Sequence, residues 1–501
     1  MKMKFKYYLG LAAAALTMVG CSEEFLDTEP TEFVSSSQIA EYSEANPGLQ
    51  AANVSGIYAT MYETGTGGTT GHDDYGQKGY DLYSDMLSSD VVLAGLTYGW
   101  YSDISRMQVT QDYTIQDNYQ VWRYYYRIVF AANNVIDGLG GNDAMPESDA
   151  GKLYLGQAKA MRAYAYFYLS QFFAEEYDPA QPILPIYTEP VTEAKGLSPT
   201  SEVFDLMISD LNQAIELLDG SSVAALQEVD KAVAQGLLAY VYGAMGEYEE
   251  VQTITEDVIN TSGHSILSAE EVVYDMETGT GGGGLNTVNN NSWMWGVDLT
   301  SDQGLNLISW WGQFDIFTYS YAYVGDPKSI DLGLYNAIPD NDVRKNQFQV
   351  VDGFGENHPL PINKFYATGR TLGGQRYIDT DYVYMRIEEM YLLHAEAAAK
   401  NGDEESAKNA LTTLLSERMD DTSYLDGLSG QALEDEVYLQ TRIELWGEGK
   451  SYLAMKRNKA TITRASNHLT DAGAEIPYND DRLTFEIPLS EIQNNPNINE
   501  Q

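Results

Sequence analysis

Only one cysteine, Cys21, occurs in 501 residues, so the chain forms no internal disulfide. Basic residues are scarce: 29 Lys and Arg stand against 74 Asp and Glu, a formal net charge of −45. Phosphate backbones and anionic headgroups are repelled by such a chain, which excludes nucleic-acid binding. Strong acidity accompanies disorder when apolar residues are few, but here 44% hydrophobic and 12% aromatic content supplies a packed core. Histidine is rare as well. His72, His264, His358, His394 and His468 are scattered, with no HExxH or other metal-ligand spacing. His394 falls on the apolar face of a helical pattern, where packing is its expected role. There is no GxSxG nucleophile elbow, and Asp340-Asn341-Asp342 lacks the remaining spacing of a calcium loop. No catalytic residue, metal or cofactor is therefore expected. Three carboxylate pairs stand out: Asp73-Asp74, Glu388-Glu389 and Asp340 with Asp342. Glycoside hydrolysis needs two carboxylates held across a cleft; solvation or helix-end capping is the expected role of each pair.

What is present begins at the amino terminus. Lys2, Lys4 and Lys6 precede a mostly apolar run from Tyr7 to Val19, too short to span a bilayer and built like a cleaved export signal covering residues 1–20. Met18-Val19-Gly20-Cys21 resembles the lipobox of bacterial lipoproteins, with Met18 where Leu is preferred. Lipidation of Cys21 is the expectation, and several acyl chains on one residue hold firmly, at about 0.8 kcal/mol per buried CH₂. Ser22-Glu23-Glu24 and Asp27 follow, an acidic run that resembles the surface-display signal of Bacteroidetes lipoproteins. Residues 21–45 are expected to be anchor and linker, and 46–501 a single domain. Past the signal, no uninterrupted apolar stretch reaches transmembrane length.

Helical periodicity then dominates. Val121, Tyr125, Ile128, Val129, Ala132, Val135 and Ile136 mark one buried face, and Tyr154, Ala158, Met161, Ala165, Tyr168, Leu169 and Phe172 another. Lys231 to Ile259, with a turn at Gly246, and Met385 to Arg418, with a turn at Asn401-Gly402, look like two copies of one hairpin. Small residues on their packing faces resemble tetratricopeptide helix pairs, although no clean tandem period exists and a plain bundle remains the alternative. Gly/Thr and Gly-rich loops at Gly65–Gly71 and Gly279–Gly284, a four-proline stretch from Asp178 to Pro190 and a short strand at Leu483, Phe485 and Ile487 interrupt the helices. The expected fold is mostly α: tetratricopeptide-like helix pairs with a loop-rich, partly β elaboration.

Aromatic residues concentrate in those loops. Tyr98, Trp100 and Tyr101 follow Gly95 and Gly99; Trp310 and Trp311 follow Gly304; Trp293 and Trp295 alternate about Met294 as strand residues do, so packing is expected of them. A pyranose ring has a face of C–H groups and a rim of hydroxyls. An indole covers that face, while Asp, Asn or Gln takes the rim.

Six segments together resemble the SusD (RagB/SusD) family. These are Cys21 to Asp27; Ala131-Ala132-Asn133-Asn134-Val135-Ile136; Ala158 to Phe167 around Arg162; Tyr384 to Ala398 with Arg386 and Glu389; Glu444-Leu445-Trp446-Gly447-Glu448-Gly449-Lys450; and Ile487-Pro488 through Glu491 to Asn495-Pro496. Lys450 replaces the family's usual Arg. The resemblance implies a helical scaffold of four tetratricopeptide-like pairs and a surface lipoprotein of the outer membrane. It implies a glycan-binding protein without bond chemistry that delivers an oligosaccharide to a SusC-like TonB-dependent transporter. It also implies a ligand site on an early aromatic-bearing loop, with Tyr98, Trp100 and Tyr101 forming the platform, Trp310 or Trp311 the facing wall, and Asp73 in His72-Asp73-Asp74-Tyr75-Gly76 accepting sugar hydroxyls. A peptide-binding uptake lipoprotein and a surface glycoside hydrolase are the alternatives; an adhesin subunit finds no donor-strand-like segment.

Overall fold

A computed structural model describes residues 47–191 and 193–498. The export signal, the lipobox with Cys21 and the linker lie outside the described residues.

Eight helices build the scaffold in chain order: α1 (Gln116–Gly138), α2 (Asp149–Phe173), α3 (Thr200–Leu218), α4 (Lys231–Met245), α5 (Tyr248–Thr261), α6 (Ile387–Lys400), α7 (Glu404–Leu415) and α8 (Gln431–Glu444). Each of the first five packs on the next, α5 packs on α6 across the long insertion, and α6 contacts both α7 and α8. Ser148 starts α2 by accepting from Gly151 N. Small residues make the close approach: a Cβ on Gly156 of α2 would lie 2.9 Å from Leu218 Cγ of α3. The two hairpins turn where expected, at Gly246 (φ 81°) and Gly402 (φ 79°). His394 is a packing histidine, set between Thr255 Oγ1 at 3.1 Å and Ser406 Oγ at 2.9 Å.

Charged residues stitch these helices from inside. Arg162 of α2 donates to both Asp210 oxygens on α3 at 2.7 Å and to Asn133 Oδ1 on α1 at 2.8 Å. Further along, Glu444 accepts from Arg418 at 2.8 and 2.9 Å, from Arg386 at 2.9 Å and from Arg344 at 3.0 Å, all buried. Arg386 also grips Glu448 at 2.7 and 3.0 Å, and Lys364 stands 3.2 Å from the same carboxylate. Burial alone would raise the Glu444 carboxyl, but Arg418 and Arg386 outweigh it and hold the group well below the carboxylate range. Lys450 pairs with Glu389 at 3.4 Å and donates to Tyr384 O at 3.0 Å. Gly449 holds φ +78°, and a Cβ there would meet Asp81 at 2.5 Å, so glycine lets helix Gln77–Leu87 close on the network.

Of the two roles expected for the carboxylate pairs, helix-end capping holds for Glu389, which accepts from Arg386 N at the start of α6, and for Asp342, which accepts from Arg344 N, whereas solvation is corrected by this interior. Glu388 accepts from Leu267 N and Ser292 Oγ, Glu389 from Tyr240 Oη and Arg386 N, and Asp342 from the Arg344 guanidinium; only Asp340 of those four stands exposed, paired with Lys345. Leu483–Ile487 is not a strand either. Asp481–Leu483 is a 3-10 turn, after which Phe485 N and Glu486 N bond singly to Phe172 O and Thr110 O.

The β structure is a set of two-stranded ribbons. Trp293–Val297 pairs antiparallel with Tyr382–Arg386, burying Trp293 and Trp295 as expected. Val91–Leu93 pairs antiparallel with Lys328–Ile330, in the register Val91↔Ile330 and Leu93↔Lys328. Among the described residues no helix is long and apolar enough to cross a membrane.

Replacing Glu444 with Gln leaves Arg386 and Arg418 buried without their counter-charge. We expect a loss of about 3–5 kcal/mol in the denaturant-derived stability, whereas Asp340→Asn at the surface leaves the midpoint unchanged.

Candidate functional site

The ribbon of Val91–Leu93 with Lys328–Ile330 ends in the loops that carry the exposed aromatics. Ala94 N donates to Pro327 O at 2.8 Å, and a Cβ on Gly95 would lie 2.1 Å from Gly325 O, so only glycine permits the two loops to touch. Just beyond, the Asp326 carboxylate, itself buried, accepts from three successive backbone amides: Thr97 N, Tyr98 N at 2.9 Å and Gly99 N at 3.0 Å. Charge-assisted bonds of this kind are among the stronger ones available to a loop. They fix Tyr98 and Trp100 before any ligand arrives.

Trp100 is half-buried and stacks on His72, ring centroids 5.0 Å apart and planes 10° from parallel. Tyr321 meets both Trp100 and Tyr98 edge to face, at 6.2 and 5.3 Å, and its hydroxyl contacts His72 Nδ1. Burial lowers the His72 imidazole, favouring the neutral ring. Tyr98 is 60% exposed. His72 is held from behind by Gln313 Nε2, which donates to His72 O at 3.2 Å, and Gln313 accepts from Lys328 Nζ at 2.6 Å. On the other side, Asp74 accepts from Gly67 N at 2.7 Å and from Thr69 N and Oγ1 at 2.9 Å, ordering the Gly/Thr loop that leads into His72.

The structure thus unites part of the expected set and separates the rest. Tyr98 and Trp100 lie on the surface together. Tyr101 is buried, in the left-handed region (φ 69°), with its hydroxyl 2.5 Å from Tyr75 Oη and Lys328 over its ring at 5.4 Å; it supports the platform from below. Asp73 is also interior at 2% exposure, with Oδ2 accepting from Tyr83 Oη at 3.2 Å, so it is not open to a sugar hydroxyl. The expectation of a facing wall from Trp310 or Trp311 is corrected: both are buried in the main core, Trp310 stacked on Phe314 at 4.4 Å and edge-on to Phe365 at 4.7 Å. Their flanking sequence offered no way to separate a core turn from a surface loop. In their place the structure supplies His72 and Tyr321. The tyrosine alternation at Tyr319, Tyr321 and Tyr323 was the unread signal.

Beneath the platform, burial, with Asp74 adding to it, pushes the Asp73 carboxyl up to about 6; burial and then Asp73 push Asp117 up to about 7. No three His, Cys, Asp or Glu side chains cluster as a metal site among the described residues. Raised carboxyls favour the folded state most fully below the unfolded value of about 4. That contribution is lost as pH rises through 6 to 7. Asp73→Asn removes the buried charge, so its melting temperature relative to the parent protein should rise between pH 5 and pH 8. A difference independent of pH contradicts this assignment.

Two family models match the chain: one described as starch-binding associating with outer membrane, over residues 73–242, and one described as SusD family, over residues 343–501. SusD-like protein P2 of Formosa agariphila is 24% identical over 507 residues, covering 91% of each chain. SusD-like protein P25 of the same organism is 25% identical over 289 residues; that match covers 56% of this chain and only 49% of P25. Among solved structures, a SusD-like carbohydrate binding protein from Bacteroides vulgatus superposes with a TM-score of 0.73 at 25% identity, over 90% of this chain and 97% of that one.

Proposed function

The chain belongs to the SusD family, and on that premise we propose that it is a surface lipoprotein that captures oligosaccharides and hands them to a SusC-like TonB-dependent transporter. The observation that carries this reading is the aromatic platform of Trp100, His72 and Tyr98, backed by buried Tyr321 and fixed by Asp326 before any ligand is bound. Stacking on the indole removes the C–H face of a pyranose from water, and the surrounding hydroxyl, imidazole and loop amide groups suit its rim. A platform already in place spares the ordering cost that a mobile loop would incur on binding.

Capture without bond cleavage is the reading favoured for the reaction. Two carboxylates at the platform are already engaged: Asp326 by three amides, and Asp73 in the interior under Tyr83. A general acid must reach the glycosidic oxygen. Anchoring through Cys21, display on the outer membrane, the single domain over 46–501 and the transporter as partner belong to the same proposal, supported by the lipobox pattern and the family.

Titration of the full chain against a panel of neutral and acidic oligosaccharides tests the site. Trp100→Ala should weaken an observed affinity by about 1–2 kcal/mol, roughly ten-fold, with the melting temperature unchanged. Trp311→Ala should act in the opposite manner, costing about 3–5 kcal/mol of stability through the cavity it leaves with little effect on the affinity of the folded fraction. An affinity indifferent to Trp100→Ala rules out this platform; saturation by peptides in place of sugars rules out the ligand class.

A further inference from the structure

The aromatic cluster does not stop at Tyr321, which is itself buried at 6% exposure. Tyr319 and Tyr323 flank it in the same segment and are 39% and 37% exposed. The Tyr323 ring lies against Gly373, where a Cβ would stand 2.6 Å from its Cε1. Tyr319 N donates to Gln375 O at 2.8 Å, which fixes the following turn beside the tyrosines. That turn places the Arg376 guanidinium 4.1 Å from the centroid of the Tyr319 ring, with Tyr377, 66% exposed, next in sequence. Tyr321 meets Tyr98 at 5.3 Å and Trp100 at 6.2 Å, and Tyr319, two residues before it in the same segment, carries Arg376, so Trp100 and Arg376 flank one tyrosine-bearing segment.

Arg376 is exposed and forms no ion pair among the described residues. Some surface cations are paired, Lys231 with Asp219, Lys459 with Glu176 and Arg482 with Asp480, while exposed Arg123, Arg127 and Lys195 have no ion pair among the described residues; of these unpaired cations Arg376 is the one that lies on Tyr319. The net charge of −45 disfavours an anionic ligand at long range. At physiological salt, however, exposed charges separated by more than about 8 Å are largely screened. The contact at the site therefore outweighs the total. A guanidinium lying on an aromatic face keeps its fork of N–H donors for an oxyanion.

We propose that the surface from Trp100 to Arg376 binds an extended acidic glycan, with its rings along Trp100, Tyr98 and the tyrosines and a carboxylate or sulfate substituent on Arg376. This rests on the carbohydrate-binding reading and names its ligand class. The test is calorimetric titration of the full chain with three panels: uronate oligosaccharides (oligogalacturonates, oligoalginates), sulfated ones (carrageenan-derived) and neutral ones (laminari- and xylo-oligosaccharides). One acidic panel should contain a ligand at least ten-fold tighter than the best neutral one, and which panel it is separates carboxylate from sulfate. Arg376→Gln should abolish that preference and flatten its salt dependence without moving the melting temperature; Arg376→Lys should retain part of it. Trp100→Ala should weaken all ligands alike. The proposal is overturned if Arg376→Gln leaves the acidic-to-neutral ratio unchanged, or if a neutral oligosaccharide binds best. In that last case, with binding still dependent on Trp100, the acidic class alone falls. If no panel binds, the carbohydrate-binding reading falls with it.

Discussion

A single buried carboxylate, that of Glu444, is shared by three guanidinium groups that reach it from separate parts of the chain. Arg386 arrives from the strand before α6, Arg418 from the turn after α7 and Arg344 from the insertion. Removing any one partner strands a charge in the interior, where the desolvation penalty exceeds what packing returns. The arrangement therefore acts less as a source of net stability than as a lock on register. Insertion and helices fit together in the one geometry that satisfies every charge. Glu388, one turn into the same network, takes Leu267 N and Ser292 Oγ and so fixes where the insertion leaves the helical scaffold and returns toward it.

The proposed ligand surface inherits that rigidity. Strand Tyr382–Arg386 begins in the loop region around Tyr377 and ends in the ionic core at Arg386, while Lys328, buried behind the platform, links the Val91–Leu93 ribbon through Gln313 to His72. Asp326 then converts a loop that could sample many conformations into one with three amides committed. Trp100 keeps its place because one face leans on His72, leaving the rest of the indole for a ligand.

How far the residues alone revealed this depends on what each pattern encodes. Helical periodicity and the glycine turns at Gly246 and Gly402 are local, and they were readable. The segments that carried the family resemblance turn out to be the interior ties: Asn133 with Arg162, Arg386 with Glu444 and Glu448, Lys450 with Glu389. They identify the scaffold and leave the ligand unspecified. The half-exposed loop position of Trp100 was legible because glycines and polar residues surround it. Trp310 and Trp311 have similar neighbours, yet lie in the core, since burial is settled by contacts such as that of both rings with Phe365, more than fifty residues away in sequence. Asp73 was misplaced for a different reason: its partner Tyr83, ten residues on, sits on a helix that folds over it. His72 and Tyr321 are 249 positions apart, and no local pattern joins them.

The most direct measurement is a crystal structure of the protein with a bound oligosaccharide. The account predicts a sugar ring stacked on Trp100, with the Asp326 bonds to Tyr98 N and Gly99 N unmoved from the free state. A ligand seated instead in the groove of about 490 Å³ lined by Trp122 and Tyr187, with the Trp100 surface bare, would contradict it.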